Sequence, residues 1–325
     1  MSHTLRRAHT WSMEPLRTTA ELSDWQSRQL RRDGVRVARG IYAEPGADPA
    51  ALVNRVRAAL AAAPEGSMVT SVTAYALGGL PLPTAQERDA TQRVHLAVPK
   101  AARSYPRRPG VTVHLFAADL RAHRFGSSGI PVADLRQCWV DATRQLGREA
   151  PWDRAATLLP IQRGRFNTPA RRAWLQAVQL GDVLVRRQRP LATLAAFAAY
   201  VAALPRSPGL ARVREAFSAI RAGTDSLPET QIRLALAEAG FPEPAINYEV
   251  VAAGRRRFLD ICWPDQQIDL EYQGAGHFDD PRQVKADMER RGDLQRDGWV
   301  IVEASARDLA DPGKLFARLA ATLSW

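Results

Sequence analysis

From residue 226 onward, apolar and polar positions follow one another in a legible order. Ile232, Ala235, Leu236 and Ala239 recur at helical spacing. Ser226-Leu227-Pro228-Glu229 ahead of them is a capping box with proline near its start. Gly240 and then Phe241-Pro242-Glu243-Pro244 stop the helix. The pattern then predicts strands over 247–252, 258–263 and 268–273. The turn between the last two is Pro264-Asp265-Gln266-Gln267, with Pro and Asp in suitable places. A polar helix over 281–297, a strand over 300–304 and a helix over 312–323 follow. The last turns Leu315, Phe316, Leu319 and Leu323 inward.

Upstream the rhythm is less regular. Residues 1–15 are polar and read as a disordered tail. Thr18-Thr19-Ala20-Glu21 offers a helix cap, with Leu22, Trp25 and Leu30 as apolar positions, and Arg32-Asp33-Gly34 breaks that helix. The basic, β-rich stretch 35–42 follows, carrying Arg36 and Arg39. A helix, a break and a basic hairpin are the parts of a winged helix-turn-helix, so 16–48 reads as a winged-helix-like DNA-binding segment. Residues 49–225 read as an α+β and helical region. Helices are expected over 50–63 and 69–77, the latter ended by Gly78-Gly79-Leu80-Pro81, and strands over 93–98 and 111–116. Gly129-Ile130-Pro131 opens a helical run with helices over 134–146, 151–159, 169–180, 190–204 and 210–220, proline recurring at first positions. His95, His114 and His123 are scattered here and read as strand or surface histidines.

Composition narrows the classes. Two cysteines, Cys138 and Cys262, in 325 residues exclude a disulfide scaffold and a paired Cys-x-x-Cys zinc finger, and fit a reducing cytoplasm. The N-terminus has no apolar core of a signal peptide. The longest apolar run, 191–204, is shorter than the roughly 20 residues a bilayer needs, so no membrane partner is expected. There are 45 Lys and Arg against 34 Asp and Glu, a net charge of +11. The excess is uneven: residues 1–225 carry a net +16 and residues 226–325 a net −5. A basic body joined to an acidic end suits an anionic partner gripped by the first part.

The acidic end holds the candidate chemistry. If residues 264–267 form the turn, Trp263 faces Ile268, and the same register sets Asp260 opposite Glu271. Facing residues sit roughly 4.5–5.5 Å apart at Cβ, and like charges there destabilise a sheet. Asp269 and Gln273 share that face, whereas Ile268, Leu270 and Tyr272 take the other. A divalent cation between the acids would remove the repulsion. Carboxylate oxygens with no thiolate or imidazole close by favour Mg²⁺ or Mn²⁺ over zinc.

These residues carry a resemblance. Asp260 followed by Glu271-x-Gln273 resembles the core of PD-(D/E)XK nucleases. More closely, residues 226–323 resemble the Vsr-like (very-short-patch-repair-like) endonuclease domain-of-unknown-function family. The matching elements are Ser226-x-x-Glu229, Arg257-Phe258-Leu259-Asp260, Glu271-Tyr272-Gln273-Gly274 with His277, then Asp287, Arg290 and Arg291, Gly298-Trp299-Val300 and Asp308. Arg39-Gly40-Ile41-Tyr42, Ser71-Val72-Thr73-Ala74 and Gly79-Leu80-Pro81-Leu82-Pro83 resemble segments of AbiEi-type antitoxin proteins. The resemblance implies a C-terminal α/β restriction-endonuclease-like core, over 226–325, with a mixed sheet flanked by helices. It implies Mg²⁺-dependent hydrolysis of DNA phosphodiesters. Asp260 and Glu271 would be metal ligands, with the Tyr272 carbonyl a further one, Gln273 would orient water, and His277 would act as general acid or base. Glu229, Asp287 and Arg290 would support the site, and Arg255, Arg256 and Arg257, with Arg36 and Arg39, would meet phosphate. Gln273 stands where the superfamily has Lys and this family usually has Asp. Gln can orient a water but brings neither the charge of Lys nor the ligand of Asp. The alternative is therefore a non-catalytic DNA-binding regulator, or an antitoxin-like protein with a toxin or other regulatory partner, its nuclease domain degenerate. Metal dependence of cleavage separates the two.

Overall fold

The protein is described by a computed structural model covering residues 16–18, 23–33, 35–38, 41–43, 48, 50–102, 108–116, 120, 122–125, 129–146, 169–273 and 281–323. It divides into two compact units, Met1–Leu80 with Gln86–Cys138, and Pro81–Ala85 with Trp139–Trp325. The fold is α+β, with mixed sheets flanked by helices. Among the described residues no helix is long and apolar enough to cross a membrane. The expected tail over 1–15 and the expected helix over 151–159 lie outside the described residues.

The first unit opens with β1 (Leu16–Thr18), α1 (Asp24–Asp33), β2 (Val35–Ala38) and β3 (Ile41–Ala43). The strands pair antiparallel in the order β1-β3-β2. The expected helix cap at Thr18 is corrected: Thr18 pairs with Ile41 as a strand residue. The helix instead starts behind Ser23. Ser23 Oγ accepts from Gln26 N at 3.4 Å, and Gln26 Oε1 accepts from Ser23 N at 3.1 Å. The sequence holds two successive capping-box patterns, Thr18-x-x-Glu21 and Ser23-x-x-Gln26. Pairing with β3 draws the first into a sheet and leaves the second to the helix.

The chain continues through α2 (Leu52–Ala61), β4 (Met68–Val69), α3 (Ser71–Leu77), α4 (Thr84–Gln92), β5 (Val94–Pro99), β6 (Val111–Phe116), β7 (Ala122–Phe125), β8 (Ile130–Ala133) and α5 (Leu135–Leu146). The five strands from β4 to β8 form a mixed sheet in the order β6-β5-β4-β8-β7. The expected strands are β5 and β6, paired parallel from Val94 with Val111 to Pro99 with Phe116. The helical opening expected at Gly129-Ile130-Pro131 is corrected: Ile130, Val132 and Ala133 are buried in β8, with Val132 paired to Val69. His95 and His114, far apart in sequence, are neighbours. His95 is fully buried, its Nε2 2.8 Å from Asp89 Oδ2 and its Nδ1 3.0 Å from His114 Nε2. One ring nitrogen donates to the carboxylate and the other meets the second imidazole, so both its polar atoms are satisfied in a buried strand.

The second unit contains α6 (Pro169–Leu184), α7 (Leu194–Ala203), α8 (Leu210–Ser218) and α9 (Leu227–Ala239). Helix α7 begins behind Thr193, whose side chain accepts from Ala196 N at 3.1 Å, rather than at Pro190. Then come β9 (Ala245–Ala252), β10 (Arg255–Trp263), a 3₁₀ turn at Pro264–Gln266, β11 (Ile268–Gln273), α10 (Pro281–Arg296), β12 (Val300–Ser305), α11 (Ala306–Ala310) and α12 (Gly313–Leu323). The sheet order is β12-β11-β10-β9; β9, β10 and β11 run antiparallel, and β12 pairs parallel with β11. A parallel pair needs a crossover, and α10 supplies it.

Each face of this sheet buries a different layer. Ile261, Trp263, Ile268 and Leu270 pack with Ile232 and Leu236 of α9 and Leu315 and Leu319 of α12. Cys262 and Leu259 pack with Leu294 of α10. Full burial of each such aliphatic side chain is worth about 1.5–3 kcal/mol. Helix α9 is buried from Glu229 to Leu236, because α6 covers the side turned away from the sheet. Between α6 and α9 lies a buried ion pair: Arg233 Nη2 is 2.9 Å from Asp182 Oδ2. Thr230 Oγ1 and Arg221 N also donate to the Asp182 carboxylate, each at 2.9 Å. The helices before residue 226 are thus fastened to α9 by charges that have left water.

Candidate functional site

The anticipated hairpin register is present. Trp263 pairs with Ile268, Cys262 with Asp269 and Ile261 with Leu270. The paired residues end at Ile261 and Leu270; Asp260 and Glu271, the next residue of each strand, are close enough for the Glu271 charge to act on Asp260. Gln267 makes the last bend of the turn at φ +53°, its N–H donating to Pro264 O at 3.1 Å.

Asp260, Asp269 and Glu271 therefore lie within reach of one another's charge. Glu271 is 1% exposed and Asp269 0%, whereas Asp260 is half-buried. Burial first and the Glu271 charge second push Asp260 up to about 6, against the pull of Arg290 and Arg187. Burial and then Glu271 hold Asp269 far above the usual carboxylate range. Neither Asp269 oxygen meets a hydrogen-bond donor among the described residues. Neighbouring acids of this kind need a shared proton or a cation between them.

Helix α9 adds a fourth acid from the other side of the sheet's end. Ser226 caps it, its Oγ accepting from Glu229 N at 3.3 Å. The Glu229 carboxylate accepts from Asp225 N at 3.0 Å rather than from Ser226 N. Burial, followed by the charge of Asp260, raises Glu229 to about 7. Glu229 is thus both a cap residue and an electrostatic neighbour of Asp260.

Three arginines frame these acids. Arg290 of α10 places Nη2 2.5 Å from Glu271 Oε1 and donates from Nη1 to Phe258 O at 3.1 Å. Arg291 Nε lies 4.0 Å from Glu271 Oε2, and its Nη1 pairs with Glu303. Arg187, which sequence reasoning missed, comes from the segment after α6. Its Nη2 is 2.9 Å from Asp225 Oδ2, its Nε donates to Asn247 Oδ1 at 3.0 Å, and its guanidinium carbon lies 4.1 Å from the Phe258 ring centroid. Its signal in the sequence was the basic run Arg186-Arg187-Gln188-Arg189 directly after a helix, which does not by itself name a partner.

The remaining expected residues are spread more widely. Gln273 ends β11, half-buried and paired with Ser305. Asp287 is half-buried on α10, upstream of Arg290. His277 and Arg39 lie outside the described residues. Arg36 is exposed on β2 and paired with Tyr42. Arg255, Arg256 and Arg257 are not a turn, as the sequence suggested, but the start of β10; Ala253 and Gly254, at φ +49° and +70°, make the bend. Arg256 pairs with Glu249 at 2.6 Å and Arg257 with Asp293 at 2.8 Å; Arg255 and Arg256 are both exposed near the bend.

In chemistry the donors fit a hard divalent cation: they are carboxylate oxygens, two of them buried without a donor and mutually repelling. In arrangement, no three His, Cys, Asp or Glu side chains among the described residues are gathered to hold an ion, and Glu271 is turned to Arg290.

No family model matches the chain. Two uncharacterized proteins of Mycobacterium tuberculosis, MT2308 of strain CDC 1551 / Oshkosh and Rv2248 of strain H37Rv, are each 30% identical to it over 114 residues. That match covers 34% of this chain and 42% of each relative, so the chain spans under half the length of the curated proteins it matches.

Proposed function

We propose that the second unit is a divalent-metal-dependent DNA endonuclease or nickase of the PD-(D/E)XK, Vsr-like kind, joined to a basic, winged-helix-bearing DNA-binding region. The observation that carries this reading is the gathering of Asp260, Asp269 and Glu271 within reach of one another's charge, with Glu229 acting on Asp260. A sheet stabilised only by packing gains nothing from gathering Glu229, Asp260 and Asp269, all of raised proton affinity, around Glu271; such clusters mark functional sites. Asp260 and Glu271, with the Tyr272 carbonyl, would hold Mg²⁺ or Mn²⁺. Bound there, the ion would neutralise charge developing on the phosphate and lower the pKa of its water. Gln273 would orient that water, and His277 would give or take the proton. Glu229 would tune Asp260, and Arg255 would meet the DNA backbone.

The test is cleavage of supercoiled and linear DNA by purified protein with Mg²⁺ or Mn²⁺. Asp260→Asn and Glu271→Gln should each abolish cleavage. Equal cleavage by wild type and both variants would assign the activity to a contaminant and remove the proposal.

A second reading, a non-catalytic regulator or antitoxin-like DNA binder, is favoured by two observations: Gln273 in place of an acid or lysine, and Glu271 turned to Arg290. It is distinguished by tight binding of one DNA sequence without metal, the DNA remaining intact when metal is added.

A further inference from the structure

Arg290 is placed as no merely structural arginine needs to be. Its two terminal nitrogens reach different strands, Glu271 Oε1 on β11 and the Phe258 carbonyl on β10. That span puts the guanidinium across the two strands that carry Asp260 and Glu271. Arg291 adds a second positive group 4.0 Å from the other Glu271 oxygen. Glu271 is essentially inaccessible to water, so its charge has to be met from within the protein. α10 presents exposed charge elsewhere, at Lys285 and Glu289, but turns Arg290 inward to this one carboxylate.

We infer that Arg290 is the resident counter-ion of the acidic site, holding Glu271 where a divalent cation would otherwise bind, so that loading the ion requires Arg290 to let go. The inference rests on the metal-dependent reading above and deepens it into a regulation of the same site. Anything that draws Arg290 away, a phosphate group of bound DNA being the natural competitor for a guanidinium, would free Glu271 and raise the affinity for the ion. Nucleic acid and metal would then bind with positive coupling.

The test is Mn²⁺ titration of the full-length protein by calorimetry, with melting temperature followed with and without Mn²⁺. Arg290→Gln should melt below wild type when no metal is present, because Glu271 loses its counter-ion. It should bind Mn²⁺ roughly tenfold more tightly, as expected for removing a positive charge from a partly desolvated site, and gain more melting temperature from Mn²⁺ than wild type does. A purely structural arginine gives the opposite sign: its loss weakens metal binding or leaves it unchanged, and either result overturns the inference. If Arg290→Gln does not fold, Arg290→Lys carries the test. A lysine keeps the charge but cannot span both Glu271 and the Phe258 carbonyl, so its Mn²⁺ affinity should also exceed that of wild type; equality overturns the inference. Glu271→Gln separates this proposal from the one beneath it. Glu271-dependent binding by wild type with no gain in the Arg290 variants sinks the counter-ion role alone. Absence of Mn²⁺ binding by every variant sinks both.

Discussion

Glu229 is a helix cap residue that has become an acid of raised proton affinity, and this has a measurable sign. Its ordinary pKa of 4.5 applies to the unfolded chain, and about 7 applies in the folded one. Between those values the folded protein holds the extra proton, so its stability falls as pH rises through the window. Glu229→Gln, neutral at every pH, escapes that loss. The melting temperature of the variant relative to wild type should therefore climb between pH 5 and pH 8, by the equivalent of about 2 kcal/mol. A difference independent of pH would show that burial and the charge of Asp260 do not raise Glu229 as described. Among single residues, the pairing of Trp263 with Ile268 that starts the hairpin was legible from turn length alone. Arg187 was not, because its partners Asp225, Asn247 and Phe258 lie on elements whose meeting no local pattern encodes.

Helix α6 carries a glycine in its interior, where glycine costs about 1 kcal/mol relative to alanine. The packing accounts for it: a Cβ at Gly181 would stand 2.1 Å from Ile220 Cδ1 and 2.7 Å from Ile220 Cγ1. Ile220 is itself buried and cannot swing away. Gly181→Ala should thus destabilise the second unit by about 1–3 kcal/mol despite its better helix propensity, measured as a lower denaturant midpoint. A stabilised variant would contradict the close approach. At Leu270, between Ile232 and Leu315 in the same core, truncation to Ala should cost about 2–5 kcal/mol in the same assay. Elements with strong period and clear punctuation were readable: β11 matches its expected bounds, and α9, β10, β12 and α12 match within a few residues. Elements decided by pairing were not. Thr18 looked like a cap until β3 took it, and β8 is four residues whose strand state depends on β4 and β7. The turn at Pro264–Gln267 is the register's control point. Loss of one residue there would rotate Asp269 and Glu271 into the layer now held by α9 and α12.

Charge and connectivity act over the whole chain. If the basic first part grips DNA, binding releases counterions, and affinity should fall by about two orders of magnitude or more between 50 and 200 mM salt. A flat dependence, read by fluorescence anisotropy, would mean that the net +16 of residues 1–225 is ordinary surface charge. The sequence drew its clearest division at residue 226, where composition and pattern change together. Contacts divide the described chain elsewhere, grouping the helices after Trp139 with the C-terminal sheet. Composition could not reveal this, because the join includes specific long-range pairs: the buried Asp182 with Arg233, and the half-buried Arg187 with Asp225. A fragment of residues 226–325 should accordingly fail to give a cooperative melt, and Trp139–Trp325 should give one. Removing α6 uncovers the side of α9 that it buries and takes the carboxylate from Arg233, and the burial lost with it is a large share of a small domain's marginal stability. Gene fusion that spliced this sheet onto a new carrier at its apparent border would deliver an orphaned arginine. Recombination that preserves this sheet must inherit the preceding helices with it.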